Sequence, residues 1–251
     1  MKERVTLTIE ANLLRQIDNS IDGNEIRNRS HAVELLLREA MRENMPEHAI
    51  ILAGGDEQAN QRALKEVDGK PLIQHNLELL TSAGINHIII ITKEPEKLKE
   101  IINQPPGTNV QYITETHKLG TAGALHLAKP YLQSTFLVTN ADDKKTLNLQ
   151  EMHAFHKQTT GLCTIALTTT DTPSNYGVAL LNGNRIVTFV EKPEADQAPS
   201  NLISAGLYLM EPSVIDLIPD GYARMEYDIF PKLTQEDKLY GYPFSGAYKD
   251  Y

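Results

Sequence analysis

The sequence contains a single cysteine, Cys163, and no tryptophan. One thiol excludes an intrachain disulfide framework and any zinc-ribbon spacing, and it fits a reducing, cytoplasmic setting. A buried structural thiol is the expectation for it. Long apolar runs are missing as well. The longest, Ala49 to Ala53 and Ile88 to Ile91, fall far short of the roughly 20 residues a membrane helix needs. The polar start MKERVTLTIE is not a signal peptide, so export and membrane insertion are both argued against. Nor is basic charge in excess. The formal net charge is −9, which argues against a surface that binds nucleic acid as a whole and leaves room only for a small local reader. No Ser-His-Asp elbow and no complete Walker loop occurs. What remains is an ordinary globular composition, 41% hydrophobic over 251 residues, enough for one large domain or one large and one small.

The first 45 residues carry two kinds of periodicity. Lys2 to Glu10 alternates, with Val5, Leu7 and Ile9 on one face and Arg4, Thr6 and Thr8 on the other, which predicts a half-buried strand. Leu13, Leu14, Ile17 and Ile21 then follow at helical spacing up to Asp22-Gly23, and a second helix is expected from about Ser30, with Val33, Leu36, Leu37 and Met41 as its apolar face. So short a unit cannot enclose a core alone, which points to a homodimer through residues 1–44. The strand RVTLTI followed by two such helices resembles the ribbon-helix-helix family of DNA-binding dimers. That resemblance implies that Lys2, Arg4, Thr6 and Thr8 face bases of double-stranded DNA and that Arg29 and Ser30 face its backbone. A pure dimerisation module with a polar outer face is the plainer alternative.

Met45-Pro46-Glu47 reads as a linker, and from residue 48 to 251 strand and helix patterns alternate. Near-continuous apolar strands such as HAIIL, NHIIIIT and TFLVTNAD predict an α/β domain with a mostly parallel sheet covered on both faces. Ligands of such sheets gather beyond the carboxyl ends of the strands. Three features fall there: Ala53-Gly54-Gly55, where missing side chains admit a phosphate or base; Gly120-Thr121 at a helix start; and Asn140-Ala141-Asp142-Asp143, whose carboxylates suit an oxygen-coordinated Mg2+. His153 and His156 are expected at the surface, and Lys144-Lys145 in a solvated turn.

The ordered series ILAGG, GKPLI, LGTAGAL, FLVTNAD, NYGVA, FVEKP, SAGLY, MEYDIFPKL and GAYKDY resembles the sugar-nucleotide pyrophosphorylases, a nucleotidyltransferase family with a Rossmann-like fold. The resemblance implies a reaction between a nucleoside triphosphate and a sugar 1-phosphate. It also implies Asp142 and Asp250 as metal ligands, with Asp142, Arg62 and Lys192 as catalytic groups. Ala53, Gly54, Gly55, Gly120 and Thr121 would bind the nucleotide, and Gly177, Glu191, Lys192 and Ser204 the sugar phosphate. The chain departs from the family in its glycine loop, where Asp56-Glu57-Gln58-Ala59-Asn60 replaces an arginine-bearing segment and Arg62 stands at the family's lysine. A DNA-binding regulator whose transferase domain senses a nucleotide or sugar phosphate without turnover is therefore the alternative reading. Asp250 is the penultimate residue, and an untethered terminus would make it a poor ligand.

Overall fold

Isoleucine-rich strands with both faces covered form the centre of the larger part of the chain. The computed structural model describes residues 5–23, 26–42, 45–55 and 61–251, and the chain divides into two compact units, Met1–Asn44 and Met45–Tyr251. In the second unit β1 (His48–Ala53) is followed by a small hairpin, β2 (Glu66–Val67) and β3 (Lys70–Pro71). The connecting helix Leu72–Ser82 then leads to β4 (His87–Thr92), and Pro95–Ile101 leads to β5 (Asn109–Thr114). With β6 (Phe136–Asn140) these strands pair in parallel in the order β5-β4-β1-β6. Alternate isoleucines point to opposite cores: Ile50, Ile89 and Ile91 into one, Ile51, Ile88 and Ile90 into the other. Burial on both faces is why these segments read as unbroken apolar runs.

The second half departs from the mostly parallel expectation. β7 (Asp143–Lys145) stands apart from the main sheet, which continues with β8 (Cys163–Thr169), β9 (Gly177–Asn182), β10 (Arg185–Glu191), β11 (Leu202–Met210) and β12 (Leu239–Pro243). The full order is β5-β4-β1-β6-β11-β8-β12-β10-β9. β11 runs antiparallel to both β6 and β8, whereas β12 is parallel to β8, so the sheet is mixed. Hydrophobic periodicity reports which faces are buried and is silent on strand direction. β13 (Tyr248–Asp250) pairs antiparallel with β7 and sets Asp250 opposite Asp143, so the end of the chain is tied down.

Three local expectations are also corrected. The helix expected to start at Gly120-Thr121 is a short α-turn, Gly120–Gly123, running into a 3-10 helix, Ala124–Tyr131, which contains Pro130. Proline lacks the amide a regular α-helix would use there. His153 and His156, expected at the surface, lie buried on the inner face of the helix Leu149–Gln158. His156 is satisfied by Thr164 Oγ1 at 2.7 Å and Glu211 Oε1 at 3.1 Å, and burial lowers its pKa. Lys145, expected in a solvated turn, is buried and ion-paired with Asp143. Cys163 is buried, as expected.

In the first unit the helices are Ala11–Asn19 and Arg29–Arg42, with Ile17 and Ala32 buried. Among the described residues Val5 to Glu10 pairs in no ladder, and a strand needs a partner for its backbone groups. Val5, Leu7, Leu13, Leu36 and Leu37 are exposed. The expected DNA contacts Lys2 and Arg4 lie outside the described residues. Among the described residues, no helix is long and apolar enough to cross a membrane.

Candidate active site

Turns at the carboxyl ends of the parallel strands bring the predicted residues together. Gly54 and Gly55 follow β1, Gly120 and Thr121 lie beyond β5, and Asp142 lies two residues past the end of β6. With Ala53 they line a cavity of about 310 Å³. A second cavity, of about 390 Å³, is lined by Gly177, Glu191, Lys192, Ser204, Glu226 and Asp250. The two cavities share Arg62, Asn140 and Asp142.

The first cavity is braced by a residue that sequence reasoning did not single out. Buried Glu115 accepts the Gly55 amide at 3.0 Å on one carboxylate oxygen and the Leu119 amide at 2.8 Å on the other. It thereby fastens the turn after β1 to the turn before Gly120. A Cβ on Gly54 would lie 1.9 Å from Glu115 Oε2, so this brace requires glycine there. The Gly120 turn is held from its other side: the amides of Ala122 and Gly123 donate to the Ala223 carbonyl at 3.0 and 3.1 Å. Thr121 Oγ1 donates to Glu226 at 3.0 Å and accepts from the Met225 amide at 2.9 Å.

Where the cavities meet, Arg62 Nε donates to Asp142 Oδ2 at 3.0 Å, both side chains keeping an exposed face. Such an exposed pair is weak and can exchange partners. The remaining residues of the glycine loop, 56–60, lie outside the described residues. The second cavity is rich in carboxylates. Burial, and then the neighbouring Glu226, push Glu191 up to about 7. Burial, and then Asp142, raise Asp250 above the ordinary carboxylate value, although its side chain keeps an exposed face. Lys192 follows β10 with a φ of 48°, in the left-handed region that non-glycine residues seldom occupy, and its amide donates to the Tyr176 carbonyl at 2.9 Å. Strain of this kind persists where surrounding structure enforces it, and it clusters at functional sites. Opposite it, a Cβ on Gly177 would come within 2.4 Å of Phe189 and 2.8 Å of Glu191.

Beneath the floor lies a polar knot. Lys145 Nζ pairs with Asp143 and donates to Thr139 Oγ1 at 2.8 Å and Asn76 Oδ1 at 3.2 Å. Asn76 Nδ2 donates to the Asp143 carbonyl at 2.8 Å. Burial drives Asp143 up to about 7 despite Lys145. The knot fixes the backbone immediately after Asp142.

All the predicted residues of the nucleotide, sugar-phosphate and metal sets line one or both cavities. The predicted DNA contacts Thr6, Thr8 and Ser30 are exposed in the first unit. Arg29 there is bidentate to Asp18, with one bond of 2.7 Å. Glu115, Asn76, Thr139 and Glu226 went unnoticed in the sequence, and Lys145 was assigned to a solvated turn. For Glu226 the MEYDIFPKL segment held a usable signal, and for Glu115 its place four residues before Leu119 did.

A glycine-lined cavity at the carboxyl ends of parallel strands, joined to a carboxylate-rich one, defines an α/β ligand-binding fold with two adjoining positions. Residues 48–250 match the family described as Nucleotidyl transferase, and the chain belongs to that family. Among curated proteins it is 37% identical over 199 residues to the mannose-1-phosphate guanyltransferase of Saccharomyces cerevisiae, covering 75% of this chain and 55% of the relative. It is 34% identical over 197 residues to the mannose-1-phosphate guanylyltransferase catalytic subunit beta of Drosophila melanogaster, covering 75% and 53%. The chain thus spans about half the length of these relatives. Among solved structures, HddC from Yersinia pseudotuberculosis complexed with GMP-PN superposes with a TM-score of 0.67 at 22% identity, over 82% of this chain and 93% of that one. At that identity the likeness speaks for the fold alone.

Proposed function

We propose that residues 48–251 act as a sugar-1-phosphate nucleotidyltransferase, forming a nucleoside-diphosphate sugar and releasing pyrophosphate. The observation that carries this reading is the junction of the two cavities at Arg62, Asn140 and Asp142. A triphosphate in the first and a sugar phosphate in the second would meet there. The sugar's phosphate oxygen then bonds to the α-phosphorus, the bond from that phosphorus to the bridging β-oxygen breaks, and pyrophosphate leaves with the electron pair. Positioning and charge neutralisation account for most of the catalysis in such a transfer. Ala53, Gly54, Gly55, Gly120 and Thr121 seat the nucleotide, while Gly177 and Ser204 leave room for the sugar. Glu191 accepts from a sugar hydroxyl, Lys192 faces its phosphate, and Arg62 leaves Asp142 for the triphosphate.

Asp142 and Asp250 suit Mg2+. Their donors are oxygens, and the pressure of Asp142 on the ionisation of Asp250 is a negative potential that a divalent cation relieves. When bound, the ion neutralises phosphate charge. The names of the curated relatives support mannose 1-phosphate with GTP as the first pair to try. The test is a panel of triphosphates and sugar 1-phosphates with Mg2+, read as pyrophosphate and nucleotide-sugar formation. Turnover of one pair is expected. A ligand-dependent rise in melting temperature with no turnover by any pair would favour the sensing regulator instead.

For residues 1–44 we infer a ribbon-helix-helix dimerisation unit, joined through residues 45–47. The exposed Val5, Leu7 and Leu13 support a second copy as their cover, and a monomeric full chain in light scattering would contradict it. Binding of double-stranded DNA through Arg4, Thr6, Thr8, Arg29 and Ser30 is the further reading; loss of operator affinity in Arg4→Ala with the dimer intact would support it. A lone buried cysteine supports a cytoplasmic setting.

A further inference from the structure

At the amino ends of the strands, opposite the cavities, side chains of types that can ligate a metal come together. His48 and His87 are the first residues of β1 and β4 and are register partners in that parallel ladder. Strands in a ladder lie about 4.8 Å apart, and registered residues project to the same face. The two imidazoles are accordingly neighbours, with ring centroids 5.4 Å apart in an edge-on arrangement. Glu47 precedes β1 in a bend, so its side chain is not bound to the opposite face by strand alternation. One ligand atom from each of Glu47, His48 and His87 lies within 4.8 Å of the other two, and among the described residues no other set of three His, Cys, Asp or Glu side chains meets this condition.

We propose that Glu47, His48 and His87 form a binding site for a borderline divalent metal, Zn2+ being the ion they fit. Two imidazole nitrogens and one carboxylate oxygen make a donor set suited to zinc and ill suited to Mg2+. Tetrahedral zinc with bonds of about 2.0–2.1 Å sets its donors roughly 3.3–3.5 Å apart. Glu47 and His87 are exposed and His48 is half-buried, so modest side-chain rotation closes the present gap. The three protein donors leave a fourth position for water. Bound there, the ion would clip the bend before β1 to the start of β4, at the end of the sheet remote from Asp142. It is a clip between two strands and takes no part in the transfer reaction.

The test uses the tag-free full chain, stripped with chelator and titrated with Zn2+ by calorimetry in excess Mg2+. One Zn2+ site is expected in the wild type, retained in Asp142→Asn and weakened at least about tenfold in His87→Ala. Co2+ should give the visible bands of a tetrahedral nitrogen-ligated ion in the wild type and lose them in His87→Ala. Glu47→Gln, at an exposed position outside the strand, provides a second variant should His87→Ala fold poorly. The proposal is overturned if the wild type binds no Zn2+ beyond what Asp142→Asn abolishes, or if both variants titrate like the wild type.

Discussion

Replacing Gly54 by alanine tests the Glu115 brace directly. The new Cβ would stand 1.9 Å from Glu115 Oε2 and 3.0 Å from its Cδ, so the carboxylate must move by more than 1 Å, roughly, to reach ordinary contact. Moving it breaks the bonds from the Gly55 and Leu119 amides. Hydrogen bonds to a charged group contribute about 1.5–3 kcal/mol each. Glu115 also borders the first cavity and can swing toward solvent, so the lower end applies, about 3 kcal/mol for the two. For a protein of this size that is a fall of about 6–12 °C in melting temperature. The decisive form is a double-mutant cycle. In a Glu115→Ala background the clash disappears, and Gly54→Ala should then cost less than about 0.5 kcal/mol, giving a coupling of about 2–3 kcal/mol. Melting temperatures from circular dichroism, with denaturant titrations for the free energies, supply all four corners. An unchanged melting temperature for Gly54→Ala, or strict additivity, would refute the brace.

Two further outcomes follow from the carboxylates. Because Glu191 is pushed up to about 7, it is largely protonated below that pH and ionises above it. The KM for sugar 1-phosphate should therefore fall by up to about tenfold as the pH rises from about 6 to 8, the difference between a neutral and a charge-assisted acceptor. Glu191→Gln should stay at the high value and lose that part of the pH dependence; a profile unchanged from wild type would count against its role. Lys145→Met leaves Asp143 buried without its cation, a loss of about 3–5 kcal/mol when the partner stays charged. Since Asp143 already lies near 7, it can take up a proton instead. Its raised pKa makes the ionised form costly in the folded state, so the stability of the variant is greatest at low pH and is lost as pH rises through the carboxyl's folded value. At pH 8 melting should fall by about 6–20 °C and by less at pH 6; an equal loss at both pH values would refute the proton uptake by Asp143.

The parallel half of the fold was plain in the sequence, since β1, β4 and β6 are buried on both faces and carry apolar runs that leave few other readings. The glycine turns and Asp142 could be placed by that same argument, because they follow such runs. In the antiparallel half the hairpin of β9 and β10 could be read from its Asn182-Gly183-Asn184 turn, but the direction of β11 could not. β11 is as apolar as β6, and nothing in LISAGLYLM tells whether its neighbours run with it or against it. Polar residues of the core were hidden for a different reason: Lys145 finds Asn76 across 69 residues, and Glu115 finds Gly55 across 60. Lys144 and Lys145 look alike in sequence, yet one pairs with exposed Asp68 and the other is sealed beneath the site. The first unit was hard for a third reason, its alternating segment having no ladder partner among the described residues.

In the proposed function Asp142, at the junction of the two cavities, would hold the divalent cation that neutralises the phosphates meeting there. Single-turnover pyrophosphate release from the best substrate pair, wild type against Asp142→Asn, tests it most directly. A fall of at least about a hundredfold is expected, with the melting temperature preserved within about 2 °C. Pyrophosphate release by Asp142→Asn at the wild-type rate would contradict it.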